Sequence, residues 1–109
     1  VMAQIEDAAA LDVLDAIAAV PGIDSLFVGP ADFAVALGAA SVTDPKVLGA
    51  YDRVVAAGKR AGRNISTFAA TNEIAKDLKN RGVSAFLVGS DLTFALNGAR
   101  DVVTTLKPA

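Results

Sequence analysis

The chain has 109 residues, 53% of them hydrophobic and 20% charged, with a formal net charge of −2. That composition supports a packed core and excludes a disordered chain. It carries no polybasic surface of the kind that binds nucleic acid or anionic membranes. Cysteine and histidine are both absent, which removes disulfides, thiolate nucleophiles and the commonest neutral-pH general base. A metal site in such a chain must use oxygen ligands, which favours magnesium or manganese over zinc.

The opening residues Val1 to Ile5 read as a short strand ending at Glu6. They do not form a basic segment leading into an apolar one, so no signal peptide is expected, and the chain reads as a piece of something longer. No apolar run approaches the roughly 20 residues of a membrane span. From Ala8 to Val20 the apolar residues Leu11, Leu14, Ile17 and Ala18 fall at helical spacing, with Asp12 and Asp15 on another face. Pro21-Gly22 stops that helix. Ser25 to Val28 reads as a buried parallel strand, followed by Gly29-Pro30-Ala31-Asp32 and a short helix to Leu37, closed by Gly38.

Asp44-Pro45 is a helix start, with Asp at the cap and Pro in the first turn. Val47, Tyr51, Val54, Val55 and Gly58 then share a face that Asp52, Arg53, Lys59 and Arg60 avoid. Asn64 to Phe68 is the third strand. Thr71 caps a helix carrying Glu73 in its first turn and ending at Gly82. Val83 to Val88 is the fourth and most apolar strand. Gly89-Ser90-Asp91 leads into a last helix to about Leu106, with a break expected near Asn97-Gly98. The order β-α-β-α-β-α-β-α predicts an α/β fold with a parallel sheet and right-handed crossovers. Four such units fit either a small open doubly wound sheet or half of a (β/α)8 barrel, which runs to roughly 250 residues.

In both arrangements ligands bind at the C-terminal ends of strands. Three of the four ends carry an acid: Glu6, Asp32 and Asp91. Carboxylates on neighbouring ends can hold a hard divalent cation between them. Gln4 and Glu6 point to the same side of their strand because side chains alternate. Pro30 has no N–H, and the N–H groups of Ala31 and Asp32 lie in a first helical turn without intrahelical acceptors. Such a turn accepts a small carboxylate or phosphate, and an α-keto acid can reach both that turn and an adjacent metal.

Each of these features also has a plain structural reading. Glu6, Asp7 and Asp32 suit helix starts, where acids are common. Gly29-Pro30 is a turn signal. Gly89-Ser90-Asp91 is most simply a turn with a capping residue. Lys59, Arg60 and Arg63 form a basic helix end, Tyr51 sits on a core face, and Leu92 to Leu96 is expected to pack on its own sheet unless it meets a partner subunit.

Gln4-Ile5-Glu6, followed after a helix by Pro21 to Phe33 with its Gly29-Pro30-Ala31-Asp32 core, resembles the C-terminal half of an HpcH/HpaI-type aldolase barrel. Phe86-Leu87-Val88-Gly89-Ser90-Asp91 resembles the last barrel strand of that family. The resemblance spans residues 1–109 and implies a single unit, the C-terminal half of a (β/α)8 TIM barrel. It implies a lyase that reversibly cleaves a 4-hydroxy-2-oxo acid into pyruvate and an aldehyde. It further implies that Glu6 and Asp32 bind Mg2+ or Mn2+ (or Co2+), that Gln4 contacts substrate, and that Gly29, Pro30, Ala31 and Asp32 receive the pyruvate carboxylate. A cytoplasmic homo-oligomer with an exchanged C-terminal helix is expected, with no nucleic-acid or membrane partner. The family's histidine base and substrate-binding arginine lie in its N-terminal half, so no catalytic residue is assigned within this chain. Two departures stand out: Asp7 where the family usually has Thr or Ser, and Phe33-Ala34 where it often has Leu-Ser. A citrate lyase β-like acyl-CoA lyase and a small non-catalytic anion-binding domain are the alternatives.

Overall fold

The computed structural model describes residues 1–107. Strand β1 is Met2–Ile5, followed by a 3-10 helix over Ala8–Val13 and the short helix α1 over Leu14–Ala18. Then come β2 (Ser25–Val28), α2 (Pro30–Ala36), α3 (Pro45–Ala61), β3 (Asn64–Ala69), α4 (Asn72–Arg81), β4 (Ala85–Val88) and α5 (Asp91–Leu106). The four strands are parallel and lie in the order β1-β2-β3-β4. A doubly wound sheet reverses strand order at a switch point; this sheet never reverses. Successive right-handed crossovers in one direction place the helices on one face, as in a barrel wall.

That face holds the core. Ile5, Leu26, Val28, Ile65 and Thr67 alternate toward the helices and are buried. α3 is the main cover. Asp44 caps it by accepting from Lys46 N at 2.9 Å, and its Val47, Tyr51, Val54 and Val55 are buried. Each such side chain contributes roughly 1.5–3 kcal/mol on burial, against about 0–1 kcal/mol for an exposed ion pair. The Arg53–Asp12 and Arg60–Asp15 pairs between α3 and the first helical segment therefore orient more than they anchor. Gly58 lets α3 press onto β3: a Cβ there would stand 2.3 Å from Ile65 Cδ1. Gly82 ends α4 at φ +110°, a conformation that favours glycine.

Four sequence expectations change. The helix expected over Ala8–Val20 divides, because Asp7 caps Ala9 N at 2.8 Å and Ala10 N bonds Asp7 O, winding the first turns tightly. The fourth strand begins at Ala85 rather than Val83. Val83 is buried in the connection, and Ser84 Oγ is hydrogen-bonded to both the N–H and the C=O of Ile65. β4 is an edge strand of the sheet, and its Leu87 is 59% exposed. The last helix is unbroken through Asn97-Gly98, and none of its residues is buried. The basic helix end is not simply solvated either: Arg63 Nε donates to Ala18 O at 2.9 Å and tethers the end of α1.

The exposure of α5 has a topological cause. In a βα unit the helix packs over its own strand and the next one. α5 has no following strand among the described residues, so it stands away from the sheet. The radius of gyration is accordingly 16.6 Å, against roughly 13 Å for a compact domain of this length. Leu92, Leu96, Ala99, Val103 and Leu106 recur at alternating spacings of four and three along it, the pattern of a helix that packs against another helix. Among the described residues, no helix is long and apolar enough to cross a membrane.

Candidate active site at the strand ends

Ile5 faces the helices and is buried, so alternation sends Gln4 and Glu6 to the opposite side. The β1–β2 register pairs Ile5 with Val28. The ladder then runs one step further, with Gly29 N donating to Ile5 O at 3.0 Å. That step brings Glu6 beside Gly29. Gln4 Nε2 donates to Glu6 Oε2. A Cβ on Gly29 would stand 2.9 Å from both Glu6 Cβ and Glu6 Oε2, and 3.4 Å from Gln4 Nε2. Gly29 has φ −89°, an ordinary value for any residue. Space, not backbone freedom, makes glycine necessary here.

Gly29 is the cap residue of α2, with Pro30 in the first turn and no side chain capping the helix. Phe33 N bonds Gly29 O at 3.0 Å, and the buried Phe33 ring anchors the helix. The N–H groups of Ala31 and Asp32 therefore sit in a first turn with no intrahelical acceptor. Both residues are exposed. Asp32 does not share the Gln4–Glu6 hydrogen bond. The structure thus gathers Gln4, Glu6 and Gly29 tightly, and sets Pro30, Ala31 and Asp32 on the adjoining turn. Among the described residues no three acidic side chains cluster as a preformed metal cage. The candidate ligands Glu6 and Asp32 are carboxylates, hard oxygen donors of the kind that suits Mg2+ or Mn2+. Glu6 Oε1 makes no hydrogen bond among the described residues, so it is free to coordinate, and its chemistry suits such an ion.

The remaining candidates take structural roles. Ser90 Oγ accepts from Thr93 N at 3.2 Å, and Asp91 accepts from Leu92 N at 2.9 Å. Those N–H groups are already used, so this turn is a cap rather than a phosphate cradle. Asp7 likewise caps the 3-10 helix, and Ala34 packs against the core.

An apolar cavity of about 350 Å³ opens on the helix side of the sheet, between α2, α3, α4 and the end of β3, and shares Pro30 and Ala31 with the α2 turn. Pro30, Ala31, Val42, Leu48, Tyr51 and Phe68 line part of it. At its floor lies a buried polar chain that sequence reading missed. Tyr51 Oη is 2.6 Å from Thr67 Oγ1, which donates to Val28 O at 2.8 Å. Burial pushes the Tyr51 phenol up, and its hydrogen bond with Thr67 opposes part of that shift. The available signal is that alternation places Thr67 on the same face as Ile65 and Ala69.

A barrel-wall arrangement of βα units, with carboxylates at the strand ends beside an open first helical turn, defines a partial (β/α)8-type barrel segment. Residues 1–98 match the HpcH/HpaI aldolase/citrate lyase family, and the chain belongs to that family. It is 33% identical over 108 residues to a 5-keto-4-deoxy-D-glucarate aldolase of Escherichia fergusonii, covering 98% of this chain and 42% of that protein. It is 36% identical over 107 residues to a hydroxypyruvate/pyruvate aldolase of Paraburkholderia phytofirmans, covering 95% and 40%. A crystal structure of a family protein from Burkholderia cenocepacia superposes with a TM-score of 0.91 at 36% identity, covering 98% of this chain and 42% of that one. The chain therefore spans about two fifths of the length of these relatives.

Proposed function

We propose that this chain provides the cation-binding and keto-acid-binding part of a metal-dependent pyruvate aldolase, drawn from the C-terminal half of its barrel. The observation that carries this reading is the packing of Glu6 and Gln4 into the space left by Gly29, directly beside the α2 turn. Glu6 and Asp32 hold a divalent cation, Mg2+ or Mn2+. Gln4 orients the 2-oxo acid, and the Ala31 and Asp32 N–H groups receive its carboxylate. The cation supplies Lewis-acid polarisation of the keto oxygen. No residue here serves as the general base: the chain has no histidine, and both candidate carboxylates are assigned to the cation. The base and a substrate-binding arginine come from outside these 109 residues. The aldolase names of the two relatives favour this reading over an acyl-CoA lyase. The unpartnered stripe on α5 supports assembly into a homo-oligomer.

Manganese titration of the purified chain tests the assignment. Glu6→Gln and Asp32→Asn each remove a charged ligand from a site with two carboxylates, and each should weaken binding tenfold or more. Asp91→Asn should bind as the unaltered chain does. Unaltered affinity in both site variants, or a large loss at Asp91, would overturn the assignment.

A further inference from the structure

We infer that Thr67 and Tyr51 are positioning residues for the keto-acid turn, acting through the carbonyl of Val28. The inference rests on the aldolase reading of Gly29 to Asp32. Val28 is the last residue of β2, and its carbonyl belongs to the same peptide plane as Gly29 N. Besides the β2–β3 ladder, two hydrogen bonds hold that plane. Gly29 N donates to Ile5 O at 3.0 Å on the β1 side, and Val28 O accepts from Thr67 Oγ1 at 2.8 Å on the β3 side. The plane is thus clamped between the strand carrying Glu6 and the strand carrying Thr67.

A threonine hydroxyl has one proton. With that proton given to Val28 O, which can only accept, the Tyr51 O–H is the donor to Thr67 Oγ1, at 2.6 Å. Tyr51 has no freedom to swing away: it is 1% exposed on α3, and Thr67 is fully buried. The tyrosine therefore selects the Thr67 rotamer and proton direction that hold the Val28–Gly29 peptide. Two residues beyond that peptide begin the N–H groups of Ala31 and Asp32. A tilt of the peptide plane moves the whole first turn of α2 relative to Glu6.

Nuclear magnetic resonance of the isotopically labelled chain tests this with and without magnesium and pyruvate. Thr67→Val should raise amide exchange at Gly29, whose N–H is bonded to Ile5 O, in the ligand-free chain and weaken pyruvate binding about tenfold. Thr67→Ser, which keeps the hydroxyl, should restore both to within twofold. Val54→Ala, a cavity in the α3 core away from the turn, should lower the melting temperature and leave exchange and affinity at the turn unchanged. Unaltered exchange at Gly29 in Thr67→Val, or an equal change in Val54→Ala, overturns the inference. Should Thr67→Val fail to fold, Tyr51→Phe decides: a threefold rise in exchange at Gly29 supports the clamp, and no rise overturns it. Absence of any pyruvate-dependent shift in the unaltered chain counts against the aldolase reading, while the ligand-free exchange still judges the clamp.

Discussion

Glu6 occupies the space that a side chain on Gly29 would fill, with its Cβ and Oε2 each 2.9 Å from where that Cβ would stand. The two residues are far apart in sequence and meet because the β1–β2 ladder continues one bond past Val28. The carboxylate is thereby pinned against backbone, with Gln4 bonded to one of its oxygens. This is a rigid way to present a ligand at a strand end.

Gly29→Ala should therefore damage the cation site while leaving the fold intact. The backbone at φ −89° accepts alanine, so the cost is crowding, on the order of 1–3 kcal/mol for an overpacked position. Part of it falls on Glu6, which must turn away. Manganese affinity should drop about tenfold, measured by titration, with the circular dichroism spectrum unchanged. Unaltered affinity would show that Glu6 tolerates displacement.

Much of this arrangement was legible before any coordinates, but unevenly. The apolar face of α3 through Val47, Tyr51 and Val54 follows from helical spacing alone, and those residues are buried. Asp44, Thr71 and Ser90 were readable as caps because their chemistry is local. Glu6 and Gly29 could each be placed at a strand end, yet their contact depends on register, which no local pattern encodes. The reading of Gly29 as a turn glycine was incomplete for that reason. The exposure of α5 is not legible in the sequence, because its burial requires a neighbouring strand that these residues do not contain.

Acid should weaken the chain partly through Asp44. Backbone N–H groups of Lys46 and Ala40 donate to its carboxylate and hold its pKa below the usual value. A depressed folded pKa means that stability is present above the unfolded value, near 3.9. It is lost as pH falls through the folded one. Asp44→Ala should melt at a lower temperature at pH 7 and show a shallower loss of melting temperature between pH 5 and pH 2. A variant whose acid limb parallels that of the unaltered chain would remove Asp44 from this role.

The α5 stripe should control assembly. Leu96 and Val103 lie on one face with Leu92, and both are at least half exposed. A charge there leaves the sheet core untouched, since α5 contributes no buried residue to it. Leu96→Glu with Val103→Glu should shift the chain to monomer in sedimentation analysis, with helix content retained. If the unaltered chain is itself monomeric at the highest soluble concentration, the stripe is not a self-association surface.

The purified 109-residue chain should show no measurable aldolase turnover. Removing the proton from the aldol hydroxyl, or from the pyruvate methyl in the reverse direction, needs a positioned base with a pKa near neutrality. No histidine is present, and Glu6 and Asp32 are assigned to the cation. The concave face of the sheet is also incomplete: Met2 is 61% and Leu87 59% exposed where a closed barrel would cover them. Water therefore reaches the strand ends, and electrostatic interactions there are weaker than in a sealed site. Manganese binding should survive in the same preparation, because both proposed ligands lie within the chain. Binding without turnover is thus the expected pair of results, read by titration and by coupled pyruvate release from a 4-hydroxy-2-oxo acid. Adding the complementary barrel segment of a family relative should bring turnover back if the two segments dock. Release by the chain alone at a rate near that of an intact family aldolase would mean that a carboxylate here acts as the base, and that Glu6 or Asp32 has been given the wrong role.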